Sequence, residues 1–147
     1  MTDVTINTGT TVGISATLPA TFDDAGYGVP VMTLVGEIID VGELSKVWAM
    51  IAHQAVTRAF PQKLKDTYDV PDISITIGKV TANGGQVLLQ TALADSASYT
   101  FAVTLPSADI GYFTGKVTKA GIGSVASGAV STTVVSIAID PESLFET

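Results

Sequence analysis

The sequence predicts a mainly β domain, a β-sandwich or partly closed barrel of antiparallel strands with one flanking α-helix. Three observations favour this α+β fold class: several segments alternate apolar and polar residues, β-branched and small residues are frequent, and a clear helical pattern occurs once. The chain has 147 residues, a usual length for one domain, and no repeat or linker divides it. We therefore expect a single domain over residues 1–147.

Apolar residues recur with a period of two in five segments, as in half-buried strands. In the clearest case, Ile73, Ile75 and Ile77 alternate with small or polar residues. A longer extended segment is expected over residues 29–44. The five predicted strands cover residues 12–18, 73–80, 98–105, 111–119 and 130–140.

The remaining segments read as one helix, an arm, a loop and a tail. A helical face and the capping residue Asn83 predict a short helix over residues 84–95. A polar, threonine-rich start predicts a flexible N-terminal arm over residues 1–10. Residues 21–28 are expected to form a surface loop, and residues 141–147 an exposed C-terminal tail.

Residues 43–68 combine large apolar side chains with basic ones and lack a steady period of two. Trp48, Ile51 and Phe60 stand among lysine and arginine residues, a mixture often found on contact surfaces. Two structural interpretations remain open, because helical i, i+4 spacing also fits part of the segment. We favour a long loop or projecting hairpin, used for contact or folded onto its own core.

Composition excludes several function classes. With 7 basic and 14 acidic residues, the net charge of −7 argues against a basic face that neutralises phosphates. The absence of cysteine excludes disulfides, thiolate nucleophiles and thiolate metal sites. We expect no membrane partner, since no segment approaches the length of a spanning helix and the start lacks a secretory pattern.

Candidate catalytic and metal-ligating residues are few. His53 is the single histidine, and an enzyme would need it beside a carboxylate such as Asp66, Asp69 or Asp72 in a pocket. These three aspartates lack the spacing of a calcium-binding loop. We expect no catalytic residue, no cofactor and no metal.

Two glycine-containing segments resemble nucleotide-binding motifs but fail on context. Residues 121–126 match G-x-G-x-x-A, yet a strand, and not a helix, is predicted to follow them. In Thr114-Gly115-Lys116-Val117, the last residue has no hydroxyl for a magnesium ion. Neither segment predicts a phosphate site.

The order of these features resembles the major tail tube protein of long-tailed bacteriophages of the non-contractile, siphophage type. The resemblance extends from about Val31 to Ile139. The segments that carry it are GEIIDVGEL at 36–44, IAHQAVTRAFPQKLK at 51–65, VPDISITIG at 70–78, GQVLLQTAL at 85–93, YTFAVTL at 99–105, YFTGKVTK at 112–119 and VVSIAID at 134–140.

The resemblance implies a structural virion protein that self-assembles into hexameric rings. The rings stack into the tail tube, the conduit for ejection of genomic DNA, and the loop at 43–68 reaches a neighbouring subunit or ring. The inter-subunit contacts implied for this loop are Lys46, Trp48, Ile51, His53, Arg58, Phe60, Lys63 and Lys65.

The same resemblance implies partners and a location. The expected partners are further copies of the chain, the tail tip or initiator, the tape measure protein and the tail terminator. DNA is expected to pass through an acidic lumen without specific binding, in a virion tail assembled in the host cytoplasm. Two alternatives remain: a tube subunit of a contractile tail or type VI-like secretion machine, and a monomeric capsid-decoration or adhesin-type module.

Overall fold

The computed structural model of the chain describes residues 8–147 and confirms the mainly β fold class. The strands are β1 Thr11–Ser15, β2 Thr33–Val35, β3 Ile38–Val41, β4 Val47–His53, β5 Gln62–Asp69, β6 Ile73–Gly78, β7 Tyr99–Thr104, β8 Ile110–Ile122, β9 Thr132–Ile139 and β10 Phe145–Glu146. The helices are α1 Asp24–Tyr27 and α2 Gly84–Ala94, and a 3₁₀ turn covers Pro141–Ser143.

Eight strands form one antiparallel sheet in the order β2-β1-β7-β8-β9-β6-β3, with β10 added on β8. Strands β4 and β5 form a separate two-stranded sheet. All five strands predicted from period two are present, as β1, β6, β7, β8 and β9. The predicted N-terminal arm lies mostly outside the described residues, of which 8–10 lead into β1.

The two edge strands of the large sheet are consecutive in the chain. Only Gly36 and Glu37 separate β2 from β3, so the Cα atoms of Val35 and Ile38 are at most about 11 Å apart. The sheet therefore curls until its edges meet at this corner, but β2 and β3 do not pair, and the barrel is not closed. The extended segment predicted over 29–44 is thus two strands at opposite sheet edges.

Helix α2 supplies the hydrogen bonds that the open corner lacks. The Asn83 side-chain oxygen accepts from the N–H groups of Gly36 at 3.2 Å and Gln86 at 3.1 Å, which confirms the predicted N-cap. The Gln86 amide donates to the carbonyl oxygens of Gly36 at 3.2 Å and Gly78 at 2.9 Å. Gly85 allows the start of α2 to lie directly against β2, because a Cβ on residue 85 would clash with the Leu34 carbonyl oxygen.

Gln86→Glu is expected to lower the free energy of unfolding by about 3 kcal/mol at neutral pH, because a buried carboxylate would face two carbonyl oxygens with no proton to donate. Urea unfolding measures the change. Gln90→Glu, on the exposed side of the same helix, is the matched control and should change stability by less than about 0.5 kcal/mol. Equal effects of the two substitutions would contradict the structural role given to Gln86.

The hydrophobic core fills the concave face of the curled sheet. Period two places every second residue of each strand on this face, and α2 covers it with Leu89 and Ala92. At its centre Phe101 and Phe113, which are paired on β7 and β8, stack with ring centroids 5.2 Å apart. Both rings are inaccessible to solvent.

A second, smaller layer covers part of the convex face, which the sequence did not predict. Residues 21–28 contain α1 rather than only a surface loop, and its Tyr27 is buried. The Tyr27 ring stacks on Tyr112 at 4.8 Å, and its hydroxyl donates to the Ser143 carbonyl oxygen. Asp23 caps α1 by accepting from the Gly26 N–H, and this bond holds the pKa of its carboxyl below the usual value.

The C-terminal segment is packed into the sheet, so the prediction of an exposed tail over 141–147 is wrong. Strand β9 leaves β8 after Ile139, and β10 takes its place further along the same edge. Between them the buried Ser143 hydroxyl accepts from the Thr114 N–H at 2.9 Å and lies 2.6 Å from the Asp140 carbonyl oxygen. The Ser143 side chain thus supplies the hydrogen bonds that a paired strand would make at this gap, a role that the neighbouring sequence does not indicate.

The Tyr27 contact predicts a loss of stability at alkaline pH. Burial raises the pKa of this phenol to about 12, against 10.0 for the free side chain. Between these values the unfolded chain loses its proton while the folded chain keeps it, so the stability present below pH 10 falls as the pH rises toward 12. Tyr27→Phe should cost about 1 kcal/mol at pH 7 and reduce this alkaline loss. Identical urea-unfolding curves for the two proteins across pH 9–12 would contradict it.

Candidate assembly surface

The segment with mixed apolar and basic residues forms a hairpin, which confirms that part of the sequence prediction. We call residues 47–69, which comprise β4, β5 and the turn between them, the assembly hairpin. Its pairs run from Val47–Asp69 to His53–Gln62, with a β-bulge between Trp48 and Met50. Almost every side chain in it is exposed. An isolated two-stranded sheet is marginally stable in water, so a hairpin of this kind gains from burial by a partner.

One face of the assembly hairpin is aromatic and basic; we call it the basic face. Directly paired residues share a face, which places Trp48 with Tyr68, and Lys63 and Lys65 beside them. The two rings lie 4.9 Å apart, and the Lys65 ammonium is 5.2 Å from the Trp48 centroid. Lys46, just before β4, places its ammonium 4.6 Å from the Tyr68 centroid. These cation–π contacts order the aromatic pair while the charges stay in solvent.

The opposite face combines the aliphatic Val47, Ile51 and Leu64 with polar residues toward its ends, namely Asp69, His53 and Gln62; we call it the aliphatic face. Ile51 pairs with Leu64, and Val47 lies two alternations away on the same side. About half of each of these side chains is exposed: 50% for Ile51, 47% for Leu64 and 50% for Val47. Apolar side chains thus remain in solvent on both faces, an arrangement that fits a strand pair inserted between neighbours.

The turn between β4 and β5 is held by polar contacts of its own. The Arg58 guanidinium donates to the Gln62 side-chain oxygen at 2.6 Å, and the Gln54 amide donates to the Arg58 carbonyl at 3.0 Å. Phe60 and Val56 project from this turn and are largely exposed. Arg58 therefore shapes the turn, with further guanidinium donors beyond its bond to Gln62.

The structure divides the predicted contact residues among three places. Lys46, Trp48, Lys63 and Lys65 lie on the basic face. Ile51 and His53 lie on the other face, and Arg58 and Phe60 lie in the turn. Sequence reasoning missed Tyr68 and Leu64, which complete the aromatic and aliphatic pairs. The sequence pattern did not indicate them, because the bulge adds one residue to β5 and so reverses which face the following side chains occupy.

The polar residues considered for catalysis are spread over exposed positions. His53 pairs with Gln62 in the assembly hairpin, and the Asp69 carboxylate accepts from the Val70 N–H at 2.9 Å. Within residues 8–147, no group of three or more histidine, cysteine, aspartate or glutamate side chains is placed to hold a metal ion. None of the described helices has both the length and the apolarity needed to cross a membrane.

Comparison with known proteins shows the fold but no sequence family. No family model and no curated protein matches the sequence. A chain in the 6-fold symmetrised cryo-EM structure of the anti-feeding prophage baseplate matches with a TM-score of 0.71 at 9% identity, over 100% of this chain and 97% of that chain.

Two further solved structures share the fold along its whole length. A chain in the sheath/tube terminator of PVC, an extracellular contractile injection system, matches with a TM-score of 0.65 at 9% identity, over 100% of this chain and 99% of that chain. A chain in the tube-terminating cap of the anti-feeding prophage matches with a TM-score of 0.63 at 11% identity, over 100% and 93%. The chain is therefore similar in fold to components of tail-like assemblies.

Proposed function

We propose that this chain is a structural subunit of a contractile tail-like injection apparatus, in which its copies associate into rings that stack as part of a tube. The observation that carries the proposal is the assembly hairpin, whose apolar side chains are exposed on both faces. Exposed apolar surface of this kind is unfavourable in a monomeric protein and typically marks an interaction site. In a homo-oligomer the partner that covers it is another copy of the same chain.

The choice among tail machines follows the structural similarities. One similar structure is the terminator of an extracellular contractile injection system, and two are parts of the anti-feeding prophage. They favour the contractile alternative over the siphophage-type tube that the sequence resembles. The 6-fold symmetrisation of the baseplate structure supports rings of six. The location proposed for this chain is accordingly the tail of a phage-like particle.

Within this proposal the two hairpin faces have different roles. Trp48 and Ile51 are the proposed anchors, one for each face, since large apolar side chains that are exposed in the single chain and become buried on association contribute most to interfaces. Lys46, Lys63 and Lys65 steer the hairpin toward acidic surfaces of neighbouring copies. The chain as a whole carries a net charge of −7, so such surfaces are available.

The role proposed is mechanical rather than catalytic, with no cofactor. A tube built from acidic subunits would repel phosphate groups and let a nucleic-acid or protein cargo pass without being retained. Initiator, tape measure and terminator proteins are the further partners that a tube of defined length requires.

Negative-stain electron microscopy of concentrated protein, with the mass distribution measured alongside, tests the proposal. Hollow rings or tubes of uniform width, in multiples of six chains of 15.1 kDa, are the expected result. A single 15.1 kDa species at every concentration, unchanged when the tail initiator complex is added, would overturn the proposal in favour of a monomeric binding module.

A further inference from the structure

A groove of about 980 Å³ lies between edge strand β3 and the region where β7, β8 and β10 meet. Its lining is mixed, and the apolar part includes Ile38, Val41, Leu44, Leu105 and Ile110. Such a groove offers an apolar side chain more contact area than the flat outer surface of the sheet does. It is larger than a second groove, of about 360 Å³, that lies beside α2.

The rim of this groove is acidic. Asp40 of β3, Asp109 before β8 and Glu146 of β10 line it, and all three side chains are exposed. The Asp109 carboxylate accepts from the Ser107 hydroxyl at 2.8 Å and so stabilises its own turn. Within residues 8–147 the carboxylates of Asp40 and Glu146 make no hydrogen bond or ion pair, so both are open to solvent.

The groove also offers a strand edge. Strand β3 pairs with β6 on one side and is the last strand of the large sheet. Among residues 8–147, strands β4 and β5 pair only with each other, so no described strand pairs with either outer edge of the assembly hairpin. Free edges on complementary surfaces allow one chain to extend the sheet of another through backbone hydrogen bonds.

We propose that the groove receives the assembly hairpin of a second copy of this chain. The lysines of the basic face lie opposite Asp40 and Glu146, and Trp48 contacts the apolar walls. Donor and acceptor are different surfaces of the molecule, so the contact is head-to-tail and generates a ring when the rotation closes. This inference rests on the proposed function, because it names the acceptor surface for the same assembly.

A pair of charge-reversal variants tests the match. K63E/K65E makes the hairpin acidic, and D40K/E146K makes the groove basic while sparing Asp109. Each variant alone should raise the concentration at which half the protein assembles at least about tenfold, because like charges then face one another. An equimolar mixture should assemble within about threefold of the wild-type concentration, since each hairpin finds an opposite groove in an alternating six-membered ring.

D72K/E142K is the matched control, with the same change in net charge at exposed carboxylates outside the groove, and it should assemble like wild type. Circular dichroism establishes that every variant is folded. If wild type assembles but D40K/E146K assembles equally well, or if the mixture is no better than its components, the groove is not the acceptor while the proposed function stands. If wild type forms no assembly at all, the proposed function fails, and this inference with it.

Discussion

Ile51→Asp is expected to leave the subunit folded and to raise the concentration required for assembly at least about 100-fold. Ile51 is half exposed in the single chain, where it lies opposite Leu64 on the aliphatic face and outside the core cluster of the described residues. In the proposed assembly the same position would be buried, and an unpaired carboxylate there would cost about 3 kcal/mol or more. Sedimentation velocity measures assembly, and circular dichroism measures folding.

Two control variants separate a specific contact from a general effect of charge. Ile51→Leu keeps the apolar contact and should assemble within about threefold of wild type. Val125→Asp places the same charge at another strongly exposed apolar position, in the loop after β8, and should change assembly much less than Ile51→Asp. Unchanged assembly of Ile51→Asp, or an equal loss with Val125→Asp, would remove the assembly hairpin from the interface.

Phe113→Ala is expected to lower the free energy of unfolding by about 3–5 kcal/mol, which is a large share of the stability of a domain of this size. The Phe113 ring is fully buried and stacks on Phe101 in the centre of the core, so truncation leaves a cavity between two central strands. Urea unfolding with an unchanged m-value is the measurement.

The control for this substitution lies at the end of the neighbouring strand. Leu105, just after β7, is 38% exposed, and Leu105→Ala should cost about 1 kcal/mol or less. Phe113→Leu should fall between the two. A loss below about 1.5 kcal/mol for Phe113→Ala would mean that the stacked pair is not the centre of the core.

The strands that could be predicted are those whose sequences alternate apolar with polar or small residues, including β1 and β7, which are buried on both faces. β6 alternates strictly, since Ile73, Ile75 and Ile77 face the core while Ser74 is exposed and Thr76 half-buried. The same holds for β9, whose burial alternates along its length. Helix α2 was predictable because Asn83 satisfies local backbone groups, an effect that depends on neighbours in sequence alone.

Features that depend on contacts distant in sequence could not be predicted. The break between β2 and β3 depends on Gln86, which lies fifty residues beyond Gly36. The packed C-terminus depends on Ser143 and Tyr27, which meet across 116 residues. Neither contact produces a recognisable hydrophobic pattern in the sequence around the residues that make it.

The assembly hairpin was partly predictable for a different reason. Apolar residues on both faces of β4 abolish the period of two, so the segment 47–53 reads equally as strand or helix. In a single chain this pattern has no structural explanation, whereas the proposed assembly would cover both faces of the strand pair. The irregular pattern thus points to the proposed contact surface, although the individual pairs become clear only from the register.

Hydrogen–deuterium exchange of the assembly hairpin, compared between the unassembled and assembled protein, tests the central claim most directly. Backbone amides of β4 and β5 should exchange quickly in the single chain, where the two-stranded sheet is exposed, and become protected at least about tenfold in rings or tubes. Amides of β6 and β9, in the middle of the large sheet, should be slow in both states and serve as the internal reference. Hairpin amides that exchange as fast in the assembly as in the single chain would contradict the account.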